Sequence, residues 1–592
     1  MWQESRSDRQ ASKSQIPEAE KFSALRVSTV CRAVPVFLCL ALLWGGAYAT
    51  PIPEAEIAVK IIAINDFHGN LLPSETGVRL PNAGLPGSGS VVPAGGVEYL
   101  ATMIERYRAA NKNLVFVSAG DLVGASPLLS SAFDDEPTIE AMNLMGLDYN
   151  GVGNHEFDHG LEHLRRLHTG GCPVTGCKSG REFGGAKFGS LAANVVEGQT
   201  GSTVFPAYAV RDFGGVRIAF IGVTLKGTAA LVPASGTAGL EFRDEVETVN
   251  RLVPELRRQG IETIVVLIHE GGMNPGHFNQ CDGVSGPILE LSRQLHPAVD
   301  VVVSGHTHQA YICRLPGRLL TSAGAYGRLV TEIELRIDRR SGDVVAATAV
   351  NHIVRTDLPK SAAQTDLLAG YLAVVAPLER RGVGRVAETF SSIRNDAGQS
   401  ALGRMVATAQ LEATVASAGA QIALMNPGGI RTPLEYRSDG TVTYGDAFAL
   451  HPFGNVLITM TLSGHQILQL LEQQWGQDPP KMLQVSKGLA YSWSPDCPPG
   501  RRVLPESVAI HGIPLSLDAS YRITANNFLA EGGDRFTMFK EGRERQTGPT
   551  DLEAMLSYLA KHSPVRPGIG QVSKRLIGGI DEPIRCRPAP GS

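Results

Sequence analysis

Gly151-Val152-Gly153-Asn154-His155-Glu156-Phe157-Asp158 is the stretch whose reading decides the fold. It closes a short apolar run and packs an amide, an imidazole and two carboxylates onto one turn. Standing alone, such a cluster is also what a hydrogen-bonded turn or helix cap looks like. Its meaning depends on whether other segments bring partners to it.

Working outward, apolar runs recur at 59–64, 114–117, 218–223, 263–268 and 299–303, with a weaker one at 149–152 and amphipathic or mixed segments between them. Short apolar runs alternating with helical patterns predict an α/β domain whose sheet is covered on both faces. In such domains chemistry sits on the loops at strand ends. Asp66 and His68 follow the first run, Gly120-Asp121 the second, Asn154-His155-Glu156 the weaker run, His269 the run at 263–268, and Gly305-His306-Thr307-His308 the last. Only the run at 218–223 delivers no such group.

Any one of these side chains could be a cap or a satisfied buried histidine. Five strand ends carrying O and N donors together point to a shared metal site. Asp, His and Asn suit borderline divalent ions such as Mn²⁺, Zn²⁺, Fe²⁺ or Co²⁺, and the lack of cysteine ligands argues against structural zinc. Asp66, His68, Asp121, Asn154, His269, His306 and His308 are too many for one ion but fit two ions sharing a carboxylate about 3.5–4 Å apart. The chemistry implied is hydrolysis of a phosphate ester or anhydride.

In this order the Asp-x-His, Gly-Asp, Gly-Asn-His-Glu, lone His and Gly-His-x-His motifs resemble the calcineurin-like metallophosphoesterases. The Phe157-Asp158 extension narrows the resemblance to the secreted 5′-nucleotidase, UDP-sugar hydrolase and 2′,3′-cyclic-nucleotide phosphodiesterase branch. The resemblance implies a four-layer α/β-β/α sandwich over residues 50–356. It places one ion on Asp66, His68 and His308 and the other on Asn154, His269 and His306, with Asp121 bridging. His308 is a departure, since some close relatives carry Gln or Asn there. By the same resemblance His155 stands beside the metals as the catalytic imidazole, with Asp158 orienting it. Glu156 is expected to be scaffold, and His159 and His277 to lie at the surface or behind the site.

Residues 357–382 are Ala/Leu-rich and read as a helix joining two halves, which Pro377 is expected to kink or end early. The second half has no metal motif. It has three glycine-flanked segments: Asn426-Pro427-Gly428-Gly429-Ile430-Arg431, His451-Pro452-Phe453-Gly454-Asn455, and Asn526-Asn527-Phe528 running on to Asp534. Glycines let backbone approach a planar ligand and two aromatics can sandwich a base, although either Phe alone could equally be core. All three segments resemble the substrate domain of the same family, implying an α/β domain over 383–586 before a tail at 587–592. By that resemblance Phe453 and Phe528 stack the base, Asn426 hydrogen-bonds it, Asp534 holds the ribose hydroxyls, and Arg431 and Arg394 bind the phosphate side. The spacing from Arg394 to Leu402-Gly403-Arg404 is longer than in some relatives.

Residues 1–49 have a charged start, an apolar run and Ala47-Tyr48-Ala49, the pattern of a secretory signal peptide; the alternative is an uncleaved membrane anchor. Cleavage after Ala49 leaves six cysteines for an oxidising compartment, and proximity and grouping by domain pair Cys172 with Cys177, Cys281 with Cys313 and Cys497 with Cys586. With 43% hydrophobic residues, 19% charged and a net charge of -4, the composition is that of a globular protein and does not suggest a polyanion-binding surface. The expected partner is a nucleotide rather than a nucleic acid polymer, with no stable membrane insertion once the signal is removed. The reading is a periplasmic or secreted two-metal phosphohydrolase of nucleoside 5′-monophosphates, with 2′,3′-cyclic nucleotides or UDP-sugars as further substrates. The alternatives are a non-catalytic nucleotide-binding surface protein and a thiosulfohydrolase-like enzyme on the same fold.

Overall fold

The computed structural model describes residues 55–80, 90–173, 176–568, 573–576 and 586; the expected signal segment and C-terminal tail lie outside them. In the first half two six-stranded sheets stack face to face. One runs Val344–Ile353, Leu329–Asp338, Glu56–Ile64, Leu114–Ser118, Tyr149–Gly151, Gly189–Leu191; the other runs Ala310–Leu315, Arg318–Ala323, Val301–Ser304, Thr263–His269, Val216–Thr224, Tyr208–Phe213. Parallel strands form the middle of each sheet; the edges are antiparallel except at Gly189–Leu191, which pairs parallel with Tyr149–Gly151.

The apolar runs are continuous because each strand is buried on both sides. Ile61 and Ala63 point between the sheets, where they meet Val115, Val117, Phe220, Val265, Val303 and Leu335. Their neighbours Ile62 and Ile64 point the other way, onto Leu100 and Ile104 of the helix Val97–Ala110 and Met142 of the helix Glu136–Met145. In the second sheet Ile264, Val266 and Ile268 face Val249, Val253 and Leu256 of the helix Glu245–Arg258. The alternation of side chains along a strand thus builds helix, sheet, sheet and helix layers around three cores. Each fully buried Val, Leu or Ile contributes about 1.5–3 kcal/mol of transfer free energy.

The helix Ala362–Glu379 buries Leu368, Tyr371 and Val375 in the core beneath the first sheet. Tyr371 stacks edge-on to Phe133 at 4.7 Å and donates its hydroxyl to Glu140 at 3.0 Å. Pro377 falls in the last turn and the helix runs two residues past it, since a proline so near the end forfeits little of the ladder. The second half has a five-stranded sheet ordered Gln484–Val485, Ile422–Met425, Ser520–Asn526, Val456–Ser463, Arg543–Thr550. The helices Ala401–Ala418 and Asp551–His562 share one core, with Met405, Met425 and Leu559 among its residues. The helix Gly464–Glu472 belongs to another, through Ile467 and Leu470. Disulfides join Cys172–Cys177, Cys281–Cys313 and Cys497–Cys586, the expected pairs.

Candidate active site

The ligand-type side chains converge at the carboxyl ends of the central strands of both sheets. Asp66, His68 and His308 form one cluster and Asp121, His269 and His306 a second, each with its donor atoms within 4.8 Å of one another. Asp121 stands between the two: its Oδ2 lies 3.0 Å from His269 Nε2 and 3.6 Å from His68 Nε2. Asn154 Oδ1 is 3.0 Å from His306 Nδ1, and His68 Nε2 is 3.1 Å from His308 Nε2. Two donors at about 2.1 Å from a tetrahedral ion stand about 3.4 Å apart, so these separations suit coordination.

The donor chemistry fits divalent ions. His68 and His269 both engage Nδ1 with backbone carbonyls, Gly124 O and Ala119 O, each at 2.8 Å, so their Nε2 lone pairs face inward. His269 Nε2 is buried, and the polar group close to it is the Asp121 carboxylate, Oδ2 at 3.0 Å. A buried nitrogen and carboxylate in that relation are both satisfied by a shared cation.

Backbone geometry carries the cost of this convergence. Asp66, His68, Asp121, His306 and His308 all have positive φ, between 48° and 71°. Left-handed backbone at non-glycine residues costs about 1–3 kcal/mol each and persists where surrounding contacts enforce it. Here the loops hold one another: Asp66 N–H donates to Gly120 O and His68 N–H to Asp121 O, both at 2.9 Å. Gly153 is required, since a Cβ there would fall 2.2 Å from Asp121 Oδ1. Glu156 accepts from the main-chain N–H groups of Asp121, Leu122 and Gly153 at 2.8–3.0 Å, which is the scaffold role expected of it.

Burial dominates the electrostatics. It pushes Asp66 up to about 7, with Asp121 adding to the rise. Burial acts on Asp121 in the same direction, but His269, His155 and His68 outweigh it and hold that carboxyl well below its usual range. His269 goes up to about 10 because Asp121 and Asp66 overcome its burial, whereas burial takes His68 and His306 down to about 3 and His308 well below its ordinary value. The centre therefore sets two buried carboxyls beside one imidazole that favours its charged form, His269, and three that favour the neutral form, His68, His306 and His308, a set of O and N donors that a divalent cation could take in exchange for protons.

His155 sits beside the clusters. Its main-chain N–H donates to Asp121 Oδ1 at 2.9 Å and its ring Nδ1 meets Asp158 Oδ2 at 2.8 Å. Burial works against its charge, but Asp158 and Asp121 outweigh burial and raise its pKa. One cleft runs from this imidazole into the second half, lined by Asn154, His155, Asp158 and His306 on one side and by Asn426, Arg431, Phe453, Phe528 and Asp534 on the other. Asp534 is 4% exposed; its Oδ2 accepts from Asn426 Nδ2 at 3.2 Å and its Oδ1 pairs with Lys481. Asn426 Oδ1 in turn accepts from Asn526 at 3.0 Å. Phe528 is buried against Gly533, where a Cβ would come within 2.5 Å of the ring. Phe453 stacks on His155, and the guanidinium of Arg431 lies 5.6 Å from the Phe453 ring, near enough to the metal clusters to disfavour charge on His68 and His308.

Arg394 is not brought here: it is exposed on the segment preceding the helix Ala401–Ala418 and does not line the cleft. Residues without an expected role also line it: the polar Lys481, Asn455 and Asn526, and Leu231 and Pro233 from the first half. Both asparagines belong to the glycine-flanked segments, whereas Lys481 follows Pro479-Pro480 with no motif to mark it. Tyr326 is a further residue of the site without an expected role, at φ +65°, its ring 5.3 Å from that of His308 and its N–H donating to Asp66 O at 2.8 Å.

A sequence profile described as calcineurin-like phosphoesterase matches residues 59–310, and one described as 5′-nucleotidase, C-terminal domain, matches residues 381–541. Fold and site together thus define a metal-dependent phosphoric ester hydrolase class. The chain belongs to the calcineurin-like phosphoesterases that carry a C-terminal 5′-nucleotidase domain, a family that uses two divalent metal ions. It is 31% identical over 552 residues to the cell wall protein Lmo0130 of Listeria monocytogenes, covering 85% of this chain and 67% of that one. It is 30% identical over 515 residues to the endonuclease YhcR of Bacillus subtilis, covering 86% of this chain but only 40% of that longer protein. The crystal structure of a 5′-nucleotidase precursor from Thermus thermophilus matches with a TM-score of 0.72 at 28% identity, covering 88% of this chain and 99% of that one. Among the described residues no helix is long and apolar enough to cross a membrane.

Proposed function

We propose that this chain is an exported phosphohydrolase that releases phosphate from nucleoside 5′-monophosphates. The observation that carries the reading is a single cleft in which His155, Asn154 and His306 of the first half face Phe453, Phe528 and Asp534 of the second. Asp66, His68 and His308 would hold one ion, and Asn154, His269 and His306 the other, with Asp121 available to both. When bound, the two ions supply Lewis-acid stabilisation of the phosphoryl oxygens and ease ionisation of the attacking water.

The residues of the chain do the rest. Asp158 holds His155 Nδ1 at 2.8 Å, which leaves Nε2 as the ring nitrogen for a substrate oxygen. The carboxylates of Asp158 and Asp121 favour the charged imidazole against its burial, so a proton on that nitrogen can be donated to the leaving oxygen as charge develops there. Arg431 offers a guanidinium to the phosphate side. Phe453 and Phe528 provide aromatic faces for the base, Asn426 an amide for its edge, and Asp534 a carboxylate for the ribose hydroxyls. The Ala47-Tyr48-Ala49 site and three disulfides support export.

A metal-supplemented panel of AMP, 2′,3′-cyclic AMP, UDP-glucose and a thiosulfate derivative tests the reading. AMP is expected to have the highest kcat/KM, with activity abolished by chelation and restored by divalent metal. Preference for any other member, or no metal-dependent release, would reject it.

A further inference from the structure

The contact between Phe453 and His155 joins the two sides of the cleft in a way that base binding alone does not require. The phenyl and imidazole rings lie 5.8 Å apart, centroid to centroid, and 21° from parallel. His155 is already held along one edge by Asp158 at 2.8 Å and at its main chain by Asp121 at 2.9 Å. The ring of His68 meets it edge-on at 5.1 Å. These contacts fix where the imidazole is attached, but tilting about the Asp158 hydrogen bond is opposed by a ring packed nearly parallel and offset beside it, and Phe453 is such a ring. The phenyl ring is itself restrained: Arg431 lies 5.6 Å from its centroid, and two residues on the main-chain carbonyl of Asn455 accepts from Asp551 N–H at 2.8 Å.

We infer that Phe453 is a positioning residue for His155, holding the imidazole toward the metal centre. The aromatic face offered to the base is therefore mechanically linked to the group that protonates the leaving oxygen. The inference rests on the phosphohydrolase reading for its kinetic consequence, though not for its geometry.

A substrate without a base separates the two roles. With ribose 5-phosphate, Phe453→Leu is expected to lower kcat about tenfold while KM stays within about twofold, a loss of the size expected when one aromatic contact is removed. Phe453→Tyr restores kcat. In a His155→Ala background, Phe453→Leu has no further effect on kcat, because both changes act through one group. A readout independent of turnover is the His155 ring-proton resonance in protein carrying labelled histidine, assigned by its loss in His155→Ala; loss of the Phe453 ring current should shift it in Phe453→Leu. If the wild type releases phosphate from neither AMP nor ribose 5-phosphate, the phosphohydrolase reading fails and the resonance alone decides the contact. An unchanged kcat on ribose 5-phosphate, additive losses in the double variant, or an unmoved resonance overturns the inference.

Discussion

The metal centre and the nucleoside side of the cleft are built on opposite principles. At the centre Asp66, His68 and His269 are wholly buried, five ligand-type residues hold left-handed backbone, and glycines at 120 and 153 leave no room for a methyl group. On the other side Phe453 is half-buried, Arg431 reaches in from a loop, and Asp534 depends on Lys481 from a separate segment. The first arrangement tolerates no displacement; the second is assembled from side chains on four separate segments that can be adjusted one at a time. Positions fixed by a sheet edge set the reaction, and loop positions set what is presented to it.

The contrast makes graded predictions. Asp121→Ala removes the carboxylate that stands between the two clusters and should lower kcat/KM by about 10³-fold or more, measured with saturating metal. Gly153→Ala should weaken metal binding about 10–100-fold by displacing Asp121, as calorimetric titration would show. An unaffected affinity would mean that the centre is less rigid than its geometry implies.

Proton release gives a third test. In the metal-free protein His269 holds its proton up to about 10 and Asp66 up to about 7, so metal uptake must expel protons. Affinity should therefore fall as pH falls, with protons released on binding, read from calorimetry in buffers of different ionisation enthalpy. Asp534→Ala acts on the adjustable side and should raise KM for AMP about tenfold with a smaller effect on kcat. Arg394→Ala, outside the cleft, should change neither parameter by more than about twofold.

Much of the first half is legible in the chain because its signals are local. Each apolar run is buried on both faces, so it reads as a strand, and the ligands follow within a few residues of its end. The role of Glu156 is readable for the same reason, since its partners Asp121, Leu122 and Gly153 lie on the neighbouring turn and on the preceding strand end. Lys481 is not legible: its partner Asp534 is 53 residues away and nothing in Pro479-Pro480-Lys481 marks a cleft wall. Tyr326 escapes notice because its part is played through a positive φ and a ring beside His308, neither of which residue type reveals. Arg394 shows the converse, a residue carried over by resemblance into a segment whose spacing differs and which the structure leaves at the surface.

The central claim is that both halves act on one substrate, and comparing AMP with ribose 5-phosphate tests it most directly. The account predicts metal-dependent phosphate release from both, with kcat/KM favouring AMP by about 10²-fold or more and that preference collapsing in Phe528→Ala. Equal kcat/KM for the two substrates, or a preference untouched by Phe528→Ala, would contradict it.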